Sequence, residues 1–398
     1  MSNAAQTVIN CIRFEICRQN ERIVLPELSA RFLIEVYKLS KAHDVAHLVG
    51  DVLNKSGVFE NLSADIDENE RSMITKIKEK FEGELFTAVY RYENINYELE
   101  RLKEVLKSEK IPFIPLKGSV IRKYYPQPWM RTSSDIDLLI KSEQLKIVIN
   151  TLVNRLSYIQ KGEWIDEISL YSPGGVHLEL HCTLVDDYVI EKVDNVLSNI
   201  WTYAEQVDGT SEFVLMDEAY YYYHIAHMAK HVMHGGCGVR PFIDLWLLEH
   251  KIEHSDEKRN TLLECGGLSK FAEVSRRLSE VWFDGGKQTE ATRELENYVL
   301  SGGVYGTREQ HIAMSYNVKG GIVRHIVSRV FLTFSELSSY YPSLKKCPIL
   351  FPAYQVRRWL KLIFSRGKNN AAQKIRLNKN ISEEKKEAAK RLMDELEL

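Results

Sequence analysis

The stretch Ser134-Asp135-Ile136-Asp137-Leu138-Leu139-Ile140 constrains the fold more than any other segment. Its apolar residues and short length read as a buried strand, yet two carboxylates stand one residue apart inside it. Side chains two apart on a strand share a face, so Asp135 and Asp137 project together while Ile136, Leu138 and Ile140 take the other side. Two ionised carboxylates that close raise each other's pKa unless a cation sits between them. An exposed strand end with two solvated carboxylates is the plainer reading. A Mg2+ ion, which takes oxygen ligands and keeps several waters, is the chemical one.

The neighbouring segments favour the second reading. Upstream, Ile111-Pro112-Phe113-Ile114-Pro115-Leu116 reads as a short strand whose prolines suggest an edge or a strand start. Gly118-Ser119 follows and opens a helix over 119–125 that the Pro-rich 126–129 ends. Unpaired N–H groups and the helix dipole favour a phosphate at such a turn, and glycine permits its close approach. Downstream, 142–158 reads as an amphipathic helix and 168–184 as a hairpin turning at Gly174-Gly175. In the second hairpin strand His177, Glu179 and His181 share one face, opposite Val176, Leu178 and Leu180. Two Asp and one Glu converging beside a phosphate-cradling turn form the constellation of two-metal phosphoryl or nucleotidyl transfer.

The order strand, Gly-Ser, helix, strand with Asp-x-Asp, then a later strand with one acidic residue resembles the nucleotidyltransferase superfamily of polymerase-β type. More narrowly, 112–140 followed by Val176-His177-Leu178-Glu179-Leu180-His181 is similar to a bacterial branch labelled nucleotidyltransferase family protein. The segments around 41–53, 224–248 and 341–360 share that likeness, so it extends over most of the chain. Two departures stand out: fifteen residues separate Ser119 from Asp135, and the third acidic position is Glu179 in place of the more usual Asp.

The resemblance implies an α+β fold, a small mixed-sheet nucleotidyltransferase core flanked by N-terminal and C-terminal helical regions, divided as 1–65, 66–210 and 211–398. It implies that Asp135, Asp137 and Glu179 hold two Mg2+ ions and carry the chemistry. One ion would clamp the triphosphate of a nucleotide such as ATP, and the other would activate an acceptor hydroxyl. Gly118 and Ser119 would bind phosphate oxygens, and Lys117 or Arg131 would offset charge on the leaving pyrophosphate. Arg131 is preferred there for its fork geometry. His181, on the Glu179 face, would orient that carboxylate or touch substrate.

The helix after Asp217 carries His224, His227, His231 and His234 on one face. His227-x3-His231 is a spacing that zinc enzymes use, but no Glu follows His227 and this helix holds no His-Asp doublet. The stripe is read as facing the catalytic block, with His227, Lys230 and His231 near the nucleotide; plain packing and a zinc site are the other readings. Arg240 and Asp244, four apart, form either an ion pair at a helix start or a nucleotide or acceptor contact.

Composition bounds the rest. At 398 residues two or three domains are expected. The formal net charge of −2 gives no broad basic track, so nucleic acid is not the expected substrate. Residues 351–380, with eight Lys/Arg and no acid, are the local exception. They read as a solvated helix packing its Trp and Leu face, or as a weak contact for a polyanion or membrane surface. No run approaches the ~18 apolar residues of a membrane span, and the N-terminus shows no secretory pattern. Six scattered cysteines without a Cys-x-x-Cys pair read as reduced thiols in the cytoplasm. The expected activity is transfer of a nucleoside monophosphate from a triphosphate to an unidentified small-molecule or protein acceptor. A catalytically idle binding relative and a His-metal hydrolase on 224–234 are the alternatives.

Overall fold

Side-chain caps fix where the first helices begin. The Ser2 hydroxyl accepts the Ala5 N–H at the start of α1 (Asn3–Ile16), and Ser29 accepts the Phe32 N–H at α2 (Ala30–Ala42). After α3 (Ala46–Lys55), Asp67 accepts the Glu70 N–H and opens α4 (Glu68–Ser108). Each cap satisfies one of the orphan N–H donors of a first turn. The computed structural model describes residues 1–17, 23, 25–60, 62, 66–163, 167–185, 194–318, 331, 332, 334, 337, 341, 343–364 and 383–398.

Helix α4 has 41 residues and is roughly 60 Å long at 1.5 Å per residue. That length lets it serve two cores. Ile74, Ile77 and Phe81 pack with the helical regions, whereas Ile95, Leu99, Leu102 and Leu106 pack on a sheet.

The sheet follows from strand patterning. β1 (Phe113–Pro115) leads into α5 (Gly118–Ile121); β2 (Asp135–Ile140) leads into α6 (Leu145–Leu156); then come β3 (Ile159–Glu163), β4 (Glu167–Tyr171) and β5 (His177–His181). The order is β1-β2-β5-β4-β3, with β2 and β5 parallel and the other neighbours antiparallel. Pro115 sits in the edge strand β1, where no outer partner needs its missing N–H. Ile136, Leu138 and Ile140 are all fully buried against Leu178, Leu180, α4 and α6. The opposite face of β2 carries Asp135 and Asp137, then Leu139, which joins the helical core.

Three local expectations change. The helix expected over 119–125 is α5 followed by a single 3-10 turn at Arg122–Tyr124, because a residue before proline is driven out of the α region at Tyr125. Strand β3 was not expected, since Gln160-Lys161-Gly162-Glu163 lacks alternation; as the other edge strand, with a register shift between Gln160 and Gly162, it has no apolar face to maintain. A small second ribbon, β6 (Ala204–Gln206) with β7 (Phe213–Leu215), follows the one-turn helix α7 (Asp194–Leu197).

From Asp217 the described chain is helical: α8 (Asp217–Met233), α9 (Arg240–His250), α10 (Asp256–Gly266), α11 (Ser269–Phe283), α12 (Glu290–Gly302), α13 (Arg308–Val318) and helices over Ser343–Lys346, Phe351–Phe364 and Glu383–Leu396. The buried apolar residues of α8 to α13 and of Glu383–Leu396 form one cluster with those of α1, α2 and α3, so both ends of the described chain share a core. In the basic segment, the Trp359 ring meets Phe331 edge-on at 5.1 Å; residues 365–380 lie outside the described residues. All six cysteines are free. No helix among the described residues is long and apolar enough to cross a membrane.

Candidate active site

The turn after β1 is built around Lys117. The Ser119 N–H donates to the Leu116 carbonyl at 3.1 Å, and Lys117 takes φ 47° and ψ −125°. This is the first central position of a type II′ turn, normally left to glycine. Gly118 is needed for a different reason: a Cβ there would stand 3.0 Å from Ser133 Oγ and 3.3 Å from Arg122 Nη2. Arg122 supports the turn from below, donating to the Gly118 carbonyl at 2.7 Å and to Ser133 Oγ at 2.6 Å. The N–H groups of Ser119, Val120 and Ile121 already bond to the Leu116 and Lys117 carbonyls, so they are not the open donors expected. What the turn does leave open is the Ser119 hydroxyl, buried with no hydrogen-bond partner among the described residues.

The carboxylates meet through strand register. Asp137 lies directly across from Glu179, Asp135 from His177, and Leu139 from His181, in the parallel β2–β5 pair. Odd positions of both strands therefore face one way, and the acidic groups arrive with two imidazoles. Asp137 is only 3% exposed. Its Oδ1 accepts from Lys117 Nζ at 2.6 Å and from His181 Nε2 at 2.9 Å. Burial alone would raise the Asp137 pKa, but the Lys117 ammonium and the His181 hydrogen bond hold it well below the ordinary carboxylate value. Burial likewise opposes the charge on Lys117, and Tyr223, Asp137 and Glu179 reverse that, holding the ammonium above its ordinary pKa.

Ligand atoms of Asp135, His177 and Glu179 lie within 4.8 Å of one another, and so do those of Asp137, Glu179 and His181. The two sets share Glu179. Carboxylate oxygens with an imidazole in each set are the donors a small divalent cation takes, so these residues fit such an ion.

Helix α8 roofs this face. The Tyr220 hydroxyl donates to the Lys117 carbonyl at 3.1 Å. Tyr223 is buried, which pushes its hydroxyl pKa up, and it lies in the field of Lys117, Asp137 and Glu179. One turn on, His227 packs edge to face on His231 with ring centroids 4.5 Å apart. Burial lowers the pKa of His227, with Lys117, His231 and Lys230 adding to it. Burial, Lys230 and Lys117 bring His231 down to about 4. Both rings are thus neutral hydrogen-bonding groups near the Lys117 turn. His224 instead donates to the Pro241 carbonyl at 2.9 Å, and His234 bonds the Lys230 carbonyl at 2.7 Å. No metal-ligand group of three forms on this stripe among the described residues.

Two arginines are engaged elsewhere. Arg131 clamps Asp244 through Nε at 2.9 Å and Nη2 at 2.8 Å, and Tyr125 adds a 2.6 Å hydrogen bond to the same carboxylate. Its guanidinium is buried in that pair and not offered to a pyrophosphate as expected. Arg240 does not pair with Asp244 either. Its Nη1 reaches Asp44 at 2.5 Å and the Thr132 hydroxyl at 3.2 Å. Both side chains tie the strand-2 approach loop to the flanking helical regions. Alternation placed His177 on the Glu179 face without giving it a role; missed from the sequence were Tyr223 and Arg122, whose placement is purely tertiary.

A family model described as "Uncharacterised nucleotidyltransferase" matches residues 34–284, more than half of the chain. The chain belongs to that nucleotidyltransferase family. The match begins in α2 and ends just past α11, so it takes in the sheet, the acidic residues and the α8 roof. Family membership supports a transferase with a general role in nucleotidyl transfer, and the acidic cluster is compatible with it. No curated protein and no solved structure matches the chain.

Proposed function

We propose that this nucleotidyltransferase is metal-dependent and moves a nucleoside monophosphate from a nucleoside triphosphate to the hydroxyl of a small-molecule or protein acceptor. The observation that carries the reading is the register of β2 and β5, which sets Asp137 across from Glu179 beside the Lys117–Ser119 turn. Asp135, Asp137 and Glu179 hold two Mg2+ ions in this scheme. Bound there, the ions neutralise the triphosphate and lower the pKa of the acceptor hydroxyl. The Ser119 hydroxyl donates to a phosphate oxygen. Lys117 swings from Asp137 to the β- or γ-phosphate and offsets the charge that builds on pyrophosphate. His227 and His231, neutral, serve as hydrogen-bond partners on the roof, with Lys230 beside them. The acceptor oxygen forms a bond to the α-phosphorus, the bridge from α-phosphorus to pyrophosphate breaks, and the acceptor proton passes to Glu179. Tyr125, Arg131, Asp244 and Arg240 hold the approach loop in place.

The test is incubation with each α-labelled nucleoside triphosphate, Mg2+ and a cell extract, read by mass spectrometry of labelled products. Label transfer should occur with the parent chain and disappear in Glu179→Gln and Asp137→Ala. Transfer that survives both changes would falsify the reading. A second reading has its own observation: the Lys117 ammonium already neutralises Asp137, as it would in a catalytically idle nucleotide- or partner-binding relative. Nucleotide binding without transfer of any label, in every extract fraction, decides for that relative.

A further inference from the structure

The two histidines flanking Glu179 differ in what their rings do. His181 points Nε2 at Asp137 Oδ1, 2.9 Å away, and spends that N–H on the carboxylate. His177 is arranged the other way round. Its Nε2 lies 3.1 Å from Ser169 Oγ, on β4, and its ring stacks on Tyr171 with centroids 4.7 Å apart. Its Nδ1 faces Glu179 Oε1 at 3.6 Å, too long for a hydrogen bond. With Nε2–H donated to the serine hydroxyl, Nδ1 keeps its lone pair and presents it to the space shared with Asp135 and Glu179. A metal-binding histidine is held in this way: one nitrogen fixed by an outer partner, the other free for the ion.

The geometry points to His177 as a nitrogen ligand at the Asp135–Glu179 position, which makes that position select first-row transition cations such as Mn2+ over Mg2+. The inference rests on the proposed metal-dependent function and refines it. Mg2+ prefers oxygen ligands and retained waters, whereas imidazole suits the later divalent ions, whose affinity for nitrogen rises from Mn2+ onward. At the Asp137–Glu179 position the nitrogen that faces the carboxylates is His181 Nε2, and its N–H is committed to Asp137. The two positions are therefore unlike, and an acid-only description holds for one of them.

Electron spin echo spectroscopy of Mn2+ bound to the full chain, without nucleotide, reads the ligand directly. The parent should show nitrogen-14 coupling from a coordinated imidazole, lost in His177→Gln and retained in His181→Gln. Competition by Mg2+ should show Mn2+ bound more tightly to the parent, with His177→Gln losing more Mn2+ affinity than the roughly tenfold that loss of an outer partner costs, while its Mg2+ affinity stays put. Ser169→Ala, which removes only the outer partner, should weaken Mn2+ less than His177→Gln and guards against a folding defect in the latter. Mn2+ bound without nitrogen coupling, or coupling that persists in His177→Gln, overturns the assignment while leaving the carboxylate site intact. No Mn2+ binding at all, with Asp135→Asn indistinguishable from the parent, overturns the cation site and the proposed function with it.

Discussion

Replacing Lys117 by Met tests how the site keeps itself intact before an ion arrives. The ammonium lies 2.6 Å from Asp137 Oδ1, and the Asp137 side chain is 3% exposed. At that separation the gross attraction is about 6 kcal/mol with an effective dielectric constant of about 20. Desolvation of both groups offsets much of it. What the substitution leaves behind is a buried carboxylate facing Glu179 with only His181 to share its charge, a change that costs about 3–5 kcal/mol. The quarter-exposed Lys117 side chain argues for the lower end. Urea unfolding of Lys117→Met without divalent ions should therefore lose about 3 kcal/mol. The sign of ion binding runs opposite. In the parent an ion must displace the ammonium from Oδ1; in the variant it need not, so calorimetry should show tighter Mg2+ or Mn2+ binding. An ion at 100 times its dissociation constant then restores about 2.7 kcal/mol, nearly closing the gap. Backbone strain separates from charge in a second pair: at φ 47°, Lys117→Gly should exceed Lys117→Ala by about 1 kcal/mol. A variant as stable as the parent without ions, or one that binds ions more weakly, refutes the reasoning.

Two further outcomes follow from buried groups outside the sheet. Asp244→Asn strips the charge partner from a buried Arg131 and should cost about 3–5 kcal/mol in denaturant unfolding; the paired change Arg131→Met with Asp244→Leu should cost less than Asp244→Asn alone. His43 is fully buried, and burial lowers its pKa from 6.5 to about 4. Because the folded form stays neutral while the unfolded chain takes up a proton, this stability is complete above pH 6.5 and is lost as pH falls towards 4, by about 3 kcal/mol in all. Melting curves across that window should show the loss, which the buried His227 and His231 add to, and His43→Leu should make it smaller.

How far the site was legible depends on which distance carried the information. Alternation along Asp135–Ile140 and His177–His181 fixes which side chains share a face, because a period of two is local. It says nothing about which strands become neighbours; that Asp137 meets Glu179, 42 positions later, is a consequence of parallel pairing across α6, β3 and β4. The arginines show the converse. Arg240 and Asp244 sit four apart in the sequence, a spacing that pairs charges in the middle of a helix. Arg240 is the first residue of α9, however, and helical side chains lean towards the N-terminus, so its guanidinium leaves the helix end and meets Asp44 and Thr132. Asp244, one turn inside, leans the same way and meets Arg131. Lys117 was legible as a basic residue beside Gly118-Ser119, but its turn conformation was not, since a lysine at positive φ contradicts local preference. That contradiction has a physical use. Holding Lys117 at φ 47° directs its side chain across β2 onto Asp137, so one residue joins the Lys117–Ser119 turn to the carboxylates. In the proposed reaction an incoming triphosphate would compete with Asp137 for the same ammonium, and the carboxylate so released would be the one the proposed cation needs.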